Sequence, residues 1–242
     1  MADFEVPKEP LSRALGLTMS LAVIAGIVDV VGFVALFGLF TSHFTGNFVV
    51  IGEEIVDHSL RLVAEVVALP TFFIVAAATR LLVIASEKAG RSPFRVLLLV
   101  QLTLLTGCML VGVAASPITD PAALGSILAG QLGVAAMAVQ NVLCRAVFPS
   151  HPPTTVMTIN FTQASIDFVD MFRGIPGLSA AARDRFDRTA PVIFAFCAGV
   201  VIGAYGYLFA SFWCLGLPIA GLLVLAVFAG KATVPVRAPL KA

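Results

Sequence analysis

The chain has 242 residues, 59% of them hydrophobic and only 12% charged, with a formal net charge of +1 and a mean hydropathy of +1.01. Soluble domains carry roughly 25% charged residues, so this composition excludes an ordinary soluble fold. Neither a basic run nor an aromatic-interleaved patch is present, so a nucleic-acid partner is not expected.

In chain order, the opening MADFEVPKEPLSR lacks the basic start of a secretory leader, and the apolar run behind it is longer than a leader core. Residues 14–40 therefore read as a permanent first span. Further apolar segments follow at 44–57, 62–85, 96–116, 122–148, 156–172, 190–210 and 212–230. Thr189 to Gly230 contains no Asp, Glu, Lys, Arg or His. A spanning helix needs about 20 apolar residues, so this run holds two. Runs of this length exclude a transmembrane β-barrel, which shows short alternating segments. The cysteines, Cys108, Cys144, Cys197 and Cys214, lie in or beside apolar runs without CxxC or metal-ligand spacing, and read as small buried hydrophobes.

The segments at 44–57 and 156–172 are shorter and more polar than the rest. Basic residues collect in the connections 86–95 (Lys88, Arg91, Arg95) and 173–188 (Arg173, Arg183, Arg185, Arg188) and in the tail (Lys231, Arg237, Lys241), whereas 116–121 and 209–213 have none. Cytoplasmic loops gather Lys and Arg. Every basic connection falls on one side if the two short segments dip in and return to the face they entered from. The expectation is an all-α integral membrane protein with six transmembrane helices, two re-entrant segments and both termini cytoplasmic; eight full crossings is the alternative.

A shift of 113 residues lays Thr41 on Thr154, Thr45 on Thr158, Asn47 on Asn160, Phe48 on Phe161, Glu54 on Asp167 and Asp57 on Asp170. Residues 1–242 then form one membrane domain of two halves, about 14–116 and 122–231. Each half has three crossings, an odd number, so the halves are oppositely oriented: an inverted repeat.

Each short segment follows a polar break. In the first half Thr41-Ser42-His43 interrupts the apolar run, and Thr45-Gly46-Asn47 follows; in the second, Pro149, Pro152 and Pro153 cannot continue a helix. The return helices are expected to start at Thr45-Gly46-Asn47 and Thr158-Ile159-Asn160, with Thr and Asn as N-caps. The free N–H groups and dipole of such starts favour a small anion or polar solute, with Thr45, Asn47, Thr158 and Asn160 as adjustable partners. Asp29, read as near the middle of the first span on a face shared with Thr18, Ala22 and Ala25, is a functional candidate as proton carrier or fixed charge. The plainer reading is a carboxylate that hydrogen-bonds a broken helix end. Gln140 and Asn141 hold the corresponding place in the second half.

Among secondary candidates, Glu54, with Glu53, Asp57 and His58, is expected at a solvated helix end, and Asp167 and Asp170 likewise at the cytoplasmic surface. Glu65 lies inside a span, Arg80 and Arg145 are placed to snorkel, and His43 sits at the break. No Ser–His–Asp grouping, HExxH or phosphate loop is present, so neither an enzyme nor a metal or cofactor is expected.

AGIVDVVGF followed by FTSHFTGNFVVIG resembles the YoaK family (domain of unknown function 1275), bacterial membrane proteins with about six predicted spans. The family-like positions are Gly26, Asp29, His43, Thr45, Gly46, Asn47 and Gly52, then Gln140, Asn141 and Arg145; Ile159 departs from the glycine expected in the second TG-containing element. The resemblance implies the topology and a bacterial inner membrane, and leaves function open. Two functions fit. One is a transporter or channel for a small polar or anionic solute, proton-coupled through Asp29. The other is a non-transporting membrane protein whose breaks are joints, with lipid and a protein partner or a second copy as its contacts.

Overall fold

The computed structural model describes residues 11–57, 62–174 and 177–229. Among them there are no strands. The helices are α1 (Leu11–Ala35), α2 (Gly46–Asp57), α3 (Leu62–Lys88), α4 (Pro93–Ala115), α5 (Leu124–Val147), α6 (Met157–Phe172), α7 (Leu178–Ala210) and α8 (Gly216–Ala229), with a 3-10 turn at Ser211–Leu215 before the last. Ala14–Ala35, Val63–Lys88, Pro93–Ala115, Leu124–Val147 and the continuous 51-residue stretch Leu178–Phe228 are each long and apolar enough to cross a membrane. Phe73, Ile74, Leu81, Leu208 and Phe209 point outward and exposed, as side chains facing lipid do. The chain is a multi-pass helical membrane protein.

Hydroxyls within these helices are satisfied locally. Thr71, Thr79, Thr103, Thr106 and Thr189 each donate to the carbonyl four residues back at 2.7–2.9 Å, which removes their cost in an apolar medium. The sequence predicts a loop over 173–188, but helix α7 occupies most of it. It starts at Leu178, because the charged SAAARDRFDR stretch is Ala-rich and favours a helix that a hydropathy argument overlooks. Cys197 is exposed rather than buried, unlike the other three cysteines. The N-terminal residues 1–10, His58 and the basic tail lie outside the described residues.

Helix directions follow from which residues meet. A Cβ on Gly26 would lie 2.3 Å from the Phe196 carbonyl oxygen, and one on Gly199 2.3 Å from that of Val23. A Cβ on Gly203 would lie 2.8 Å from Ile27 Cα. Later residues of α1 therefore meet later residues of α7, and the two helices run parallel in backbone contact that only glycine allows. The amide of Gln131, early in α5, donates to the carbonyl of Ala64, early in α3, at 3.0 Å, so those helices leave from the same side. In contrast, Leu21 meets Gln140 while Leu36 and Leu39 meet Gly130, so α1 and α5 are antiparallel.

It follows that α2 returns the chain to the side where α1 ended, and α6 to the side where α5 ended. Helix α1 packs along α7, α5 along both α4 and α3, α6 on α7 and α4 on α8, while α1 touches α5 more briefly where they cross. At the centre is α5, buried at every position from Gly133 to Gln140.

Gly199→Ala should lower the thermal unfolding midpoint of the detergent-solubilised protein, since overpacking a close contact costs about 1–3 kcal/mol. Gly16→Ala, where a Cβ would meet nothing within 4 Å, should leave the midpoint unchanged or slightly raised. Equal effects from the two would refute the close α1–α7 packing.

Candidate functional site

Past Ala35 the chain reverses. Phe37 at φ +58° and Gly38 at φ +98° adopt left-handed backbone, and the N–H of Gly38 reaches the Phe33 carbonyl at 2.9 Å, a helix-ending geometry that glycine accommodates. The following residues then run back alongside the last turns of α1. Gly32 makes this return fit: a Cβ there would lie 2.6 Å from Thr41 Cγ2 and 3.1 Å from the Leu39 carbonyl oxygen. On the other side, Gly133 of α5 receives the same Thr41 methyl.

Asp29 fastens the break. Its Oδ1 accepts the backbone N–H of Ser42 at 2.8 Å and of Thr41 at 3.1 Å, with the Thr41 hydroxyl at 3.3 Å. Its Oδ2 faces Nδ1 of His43 in a direct contact. The His43 ring lies edge-on to Phe196 of α7, centroids 5.4 Å apart. Asp29 sits in the C-terminal third of α1, six residues before Ala35, rather than near its middle. This placement lets a chain that has already turned reach back to it.

Asn47, at the start of α2, pairs with the backbone of Phe40 in both senses: its Oδ1 accepts the Phe40 N–H and its Nδ2 donates to the Phe40 carbonyl, each at 2.9 Å. In the second half Asn160 Nδ2 donates to the carbonyl of Pro153 at 2.7 Å. The spacing is seven residues both times, and Pro153 has no N–H to give the second bond. These asparagines tie helix start to break instead of capping the helix, as the sequence had suggested. The α6 N-cap, Val156, makes no side-chain capping bond.

Gln140 and Asn141 occupy the place that Asp29 holds in the first half. The Asn141 Oδ1 accepts the Thr155 hydroxyl at 2.7 Å, while Gln140 Nε2 donates to the Thr154 hydroxyl at 3.0 Å and to the Leu21 carbonyl at 2.8 Å. The amide of Gln101 on α4 donates to Gln140 Oε1 at 2.6 Å. Gln101 is fully buried, and its one signal in the sequence is a lone glutamine inside the apolar run 96–116. The two breaks thus approach α1 from opposite ends. They meet it at Asp29 and Leu21, eight residues or about 12 Å apart along the axis.

Thr45 and Thr158 are exposed, so the buried threonines of the breaks are Thr41, Thr154 and Thr155. Gly46 is required because a Cβ would lie 2.8 Å from the Phe40 ring. Pro153 stands in the corresponding place of the second half, and there Ile159 is tolerated with its side chain 56% exposed. Asp167 is not at a solvated surface: it is fully buried, with Oδ1 taking Arg185 Nε at 2.9 Å, Nη2 at 2.6 Å and Gln163 Nε2 at 3.1 Å. The unforeseen helical start of α7 brings Arg185 to it. Glu54 is also buried rather than solvated, Glu65 is buried within α3 where the sequence places it, and Arg80 and Arg145 are exposed. A cavity of about 450 Å³ lies apart from the breaks, at the α4–α5 joint, lined by Val111, Ala115, Pro117, Asp120 and Ser126 among others.

A family model described as Protein of unknown function (DUF1275) matches residues 17–228. The chain belongs to that family. No curated protein and no solved structure matches it. In this DUF1275 protein, residues 17–228 contain both breaks and every polar contact described above.

Removing the tie in the first half should cost more than removing that in the second. Asn47→Ala leaves two backbone groups of Phe40 unpaired, on the order of 1–3 kcal/mol each when buried, whereas Asn160→Ala leaves one. The unfolding midpoint of Asn47→Ala should therefore fall further. The reverse order would contradict the two-bond clamp.

Proposed function

We propose that this DUF1275 protein is a transporter of a small polar solute in the bacterial inner membrane. It would have six crossings, both termini cytoplasmic, and halves forming an inverted repeat. One observation carries the reading: two short helices, each entered through a buried non-helical break, approach the α1–α5 crossing from opposite ends. Backbone without helical hydrogen bonds is tolerated at membrane depth only where protein buries it or where it lines a water-filled space. A matched pair of such breaks is the usual plan of a solute site between repeats. The antiparallel directions of α1 and α5 support the inversion. Asp29 already occupies the converging N–H groups of the first break, which disfavours an anion there and favours a neutral solute over an anionic one.

A second reading has an observation of its own. The side chains of Asn47, Asn141, Gln140 and Asn160 are all engaged within the protein, as they would be in a purely structural joint. A thermal-shift screen of small solutes, followed by uptake into proteoliposomes, separates the two. Transport predicts that at least one polar solute both stabilises the protein and accumulates. A screen without a stabiliser, together with cross-linking to one dominant protein partner, would favour the joint. For topology, single cysteines at Arg91, Thr119 and Ser150 in a cysteine-free background should be labelled by an impermeant reagent from outside only at Thr119. Labelling of Arg91→Cys from outside would instead support eight crossings.

A further inference from the structure

We propose that His43 is the group that takes up and releases a coupling proton, and that Asp29 is its permanently ionised counter-charge. The proposal rests on the transport reading for its purpose, but its chemistry is tested independently. Asp29 is the obvious acid, yet its geometry opposes protonation. Oδ1 accepts the backbone N–H groups of Thr41, Ser42 and His43 and the Thr41 hydroxyl, and Oδ2 faces the His43 ring. A proton on Oδ1 would set a donor against the N–H groups and hydroxyl that converge there. Those same donors stabilise the carboxylate, so a proton in the Oδ2–Nδ1 contact belongs on the ring nitrogen.

The imidazole has no such constraint. It is neutral or cationic at modest cost near physiological pH, and its side chain is 31% exposed while that of Asp29 is 8% exposed. The ring is therefore the less enclosed member of the pair. Helix α1 presents Asp29, α7 presents the apolar ring of Phe196, and its own segment presents Phe40 and Ser42.

Uptake forms one N–H bond on the neutral imidazole, and release returns that proton to water. With the proton bound, the imidazolium and Asp29 carboxylate sum to zero; without it, the break carries a net negative charge. A neutral pair can be enclosed in an apolar bundle far more cheaply than a lone carboxylate. The loaded state is thus the one able to close, which couples movement of the break to the proton. At the same fourteen-residue separation the second half has Asn141 and Thr155, neither of which titrates in this range. The His43 proton therefore has no counterpart at that place in the second half.

The chain contains three histidines, so a His58→Gln/His151→Gln background leaves His43 as the sole ring. With ring nitrogens ¹⁵N-labelled and the protein in lipid nanodiscs, NMR from pH 5 to 9 should show conversion between neutral and doubly protonated imidazole. Asp29→Asn, which keeps an oxygen for the Thr41 and Ser42 N–H groups, should lower the proton affinity by about tenfold or more. A ring that stays neutral, or stays charged, across that range would overturn the proposal, as would a midpoint unaffected by Asp29→Asn. His43→Gln supplies the second arm, because it leaves the Asp29 clamp on Thr41 and Ser42 in place. In proteoliposomes it should abolish solute-dependent proton movement. Solute uptake with no accompanying proton movement would sink the His43 role alone. A normal His43 titration with no flux of any stabilising solute would leave His43 as a proton site and remove the transport reading.

Discussion

A carboxylate inside an apolar bundle and a stretch of backbone without helical hydrogen bonds are each expensive alone. In this protein they meet. Asp29 supplies acceptors to the N–H groups of Thr41 and Ser42, and those donors make its charge tolerable. The rest of the first half is arranged so that this contact can form. Left-handed backbone at Phe37 and Gly38 turns the chain round, Gly32 and Gly133 clear the path of Thr41, and Asn47 holds the far end of the break to the start of α2.

The second half reaches the same geometry with milder chemistry. Amides and hydroxyls at Gln140, Asn141, Thr154 and Thr155 replace the acid, and Gln101 extends the network to α4. Neutral groups of this kind hold a break in place at any pH, whereas the Asp29–His43 pair changes its charge with one proton. The two breaks therefore share a seven-residue asparagine tie and differ in chemistry: one is held by neutral polar groups, the other by an ionisable pair. Glycine contacts between α1 and α7 are backbone on backbone and leave little room for these helices to slide. Motion is then better assigned to the breaks and short helices than to the core spans.

Much of this was legible in the sequence. Apolar run lengths located the spans, the positions of Lys and Arg implied that the short segments return, and the 113-residue shift picked out Asn47 with Asn160. Three things were not legible, for a common reason. The pairing of Asp29 with His43 depends on the chain doubling back over its own helix, so a separation of fourteen residues looks meaningless until the reversal at Gly38 is seen. The burial of Asp167 depends on α7 beginning at Leu178, where charge density disguises a helix and brings Arg185 within reach. Gln101 and Gln140 lie 39 residues apart on two spans, and no local pattern joins them. Periodicity and charge count report what a segment is; they do not report which distant segment it meets.

The short loop distance between Asp29 and its partners also bears on how the protein is made. A polytopic chain enters the bilayer in order of synthesis, and α1 emerges long before α5 or α7 exists to shelter it. A carboxylate relying on those later helices would be stranded in lipid while it waited. Thr41, Ser42 and His43 follow Asp29 by only 12 to 14 residues, so the first span carries the means of neutralising its own acid. By contrast, Gln140 draws on the carbonyl of Leu21, 119 residues upstream and already in place when α5 arrives. Asp29 thus finds its partners nearby along the nascent chain, and Gln140 finds the Leu21 carbonyl already upstream of it.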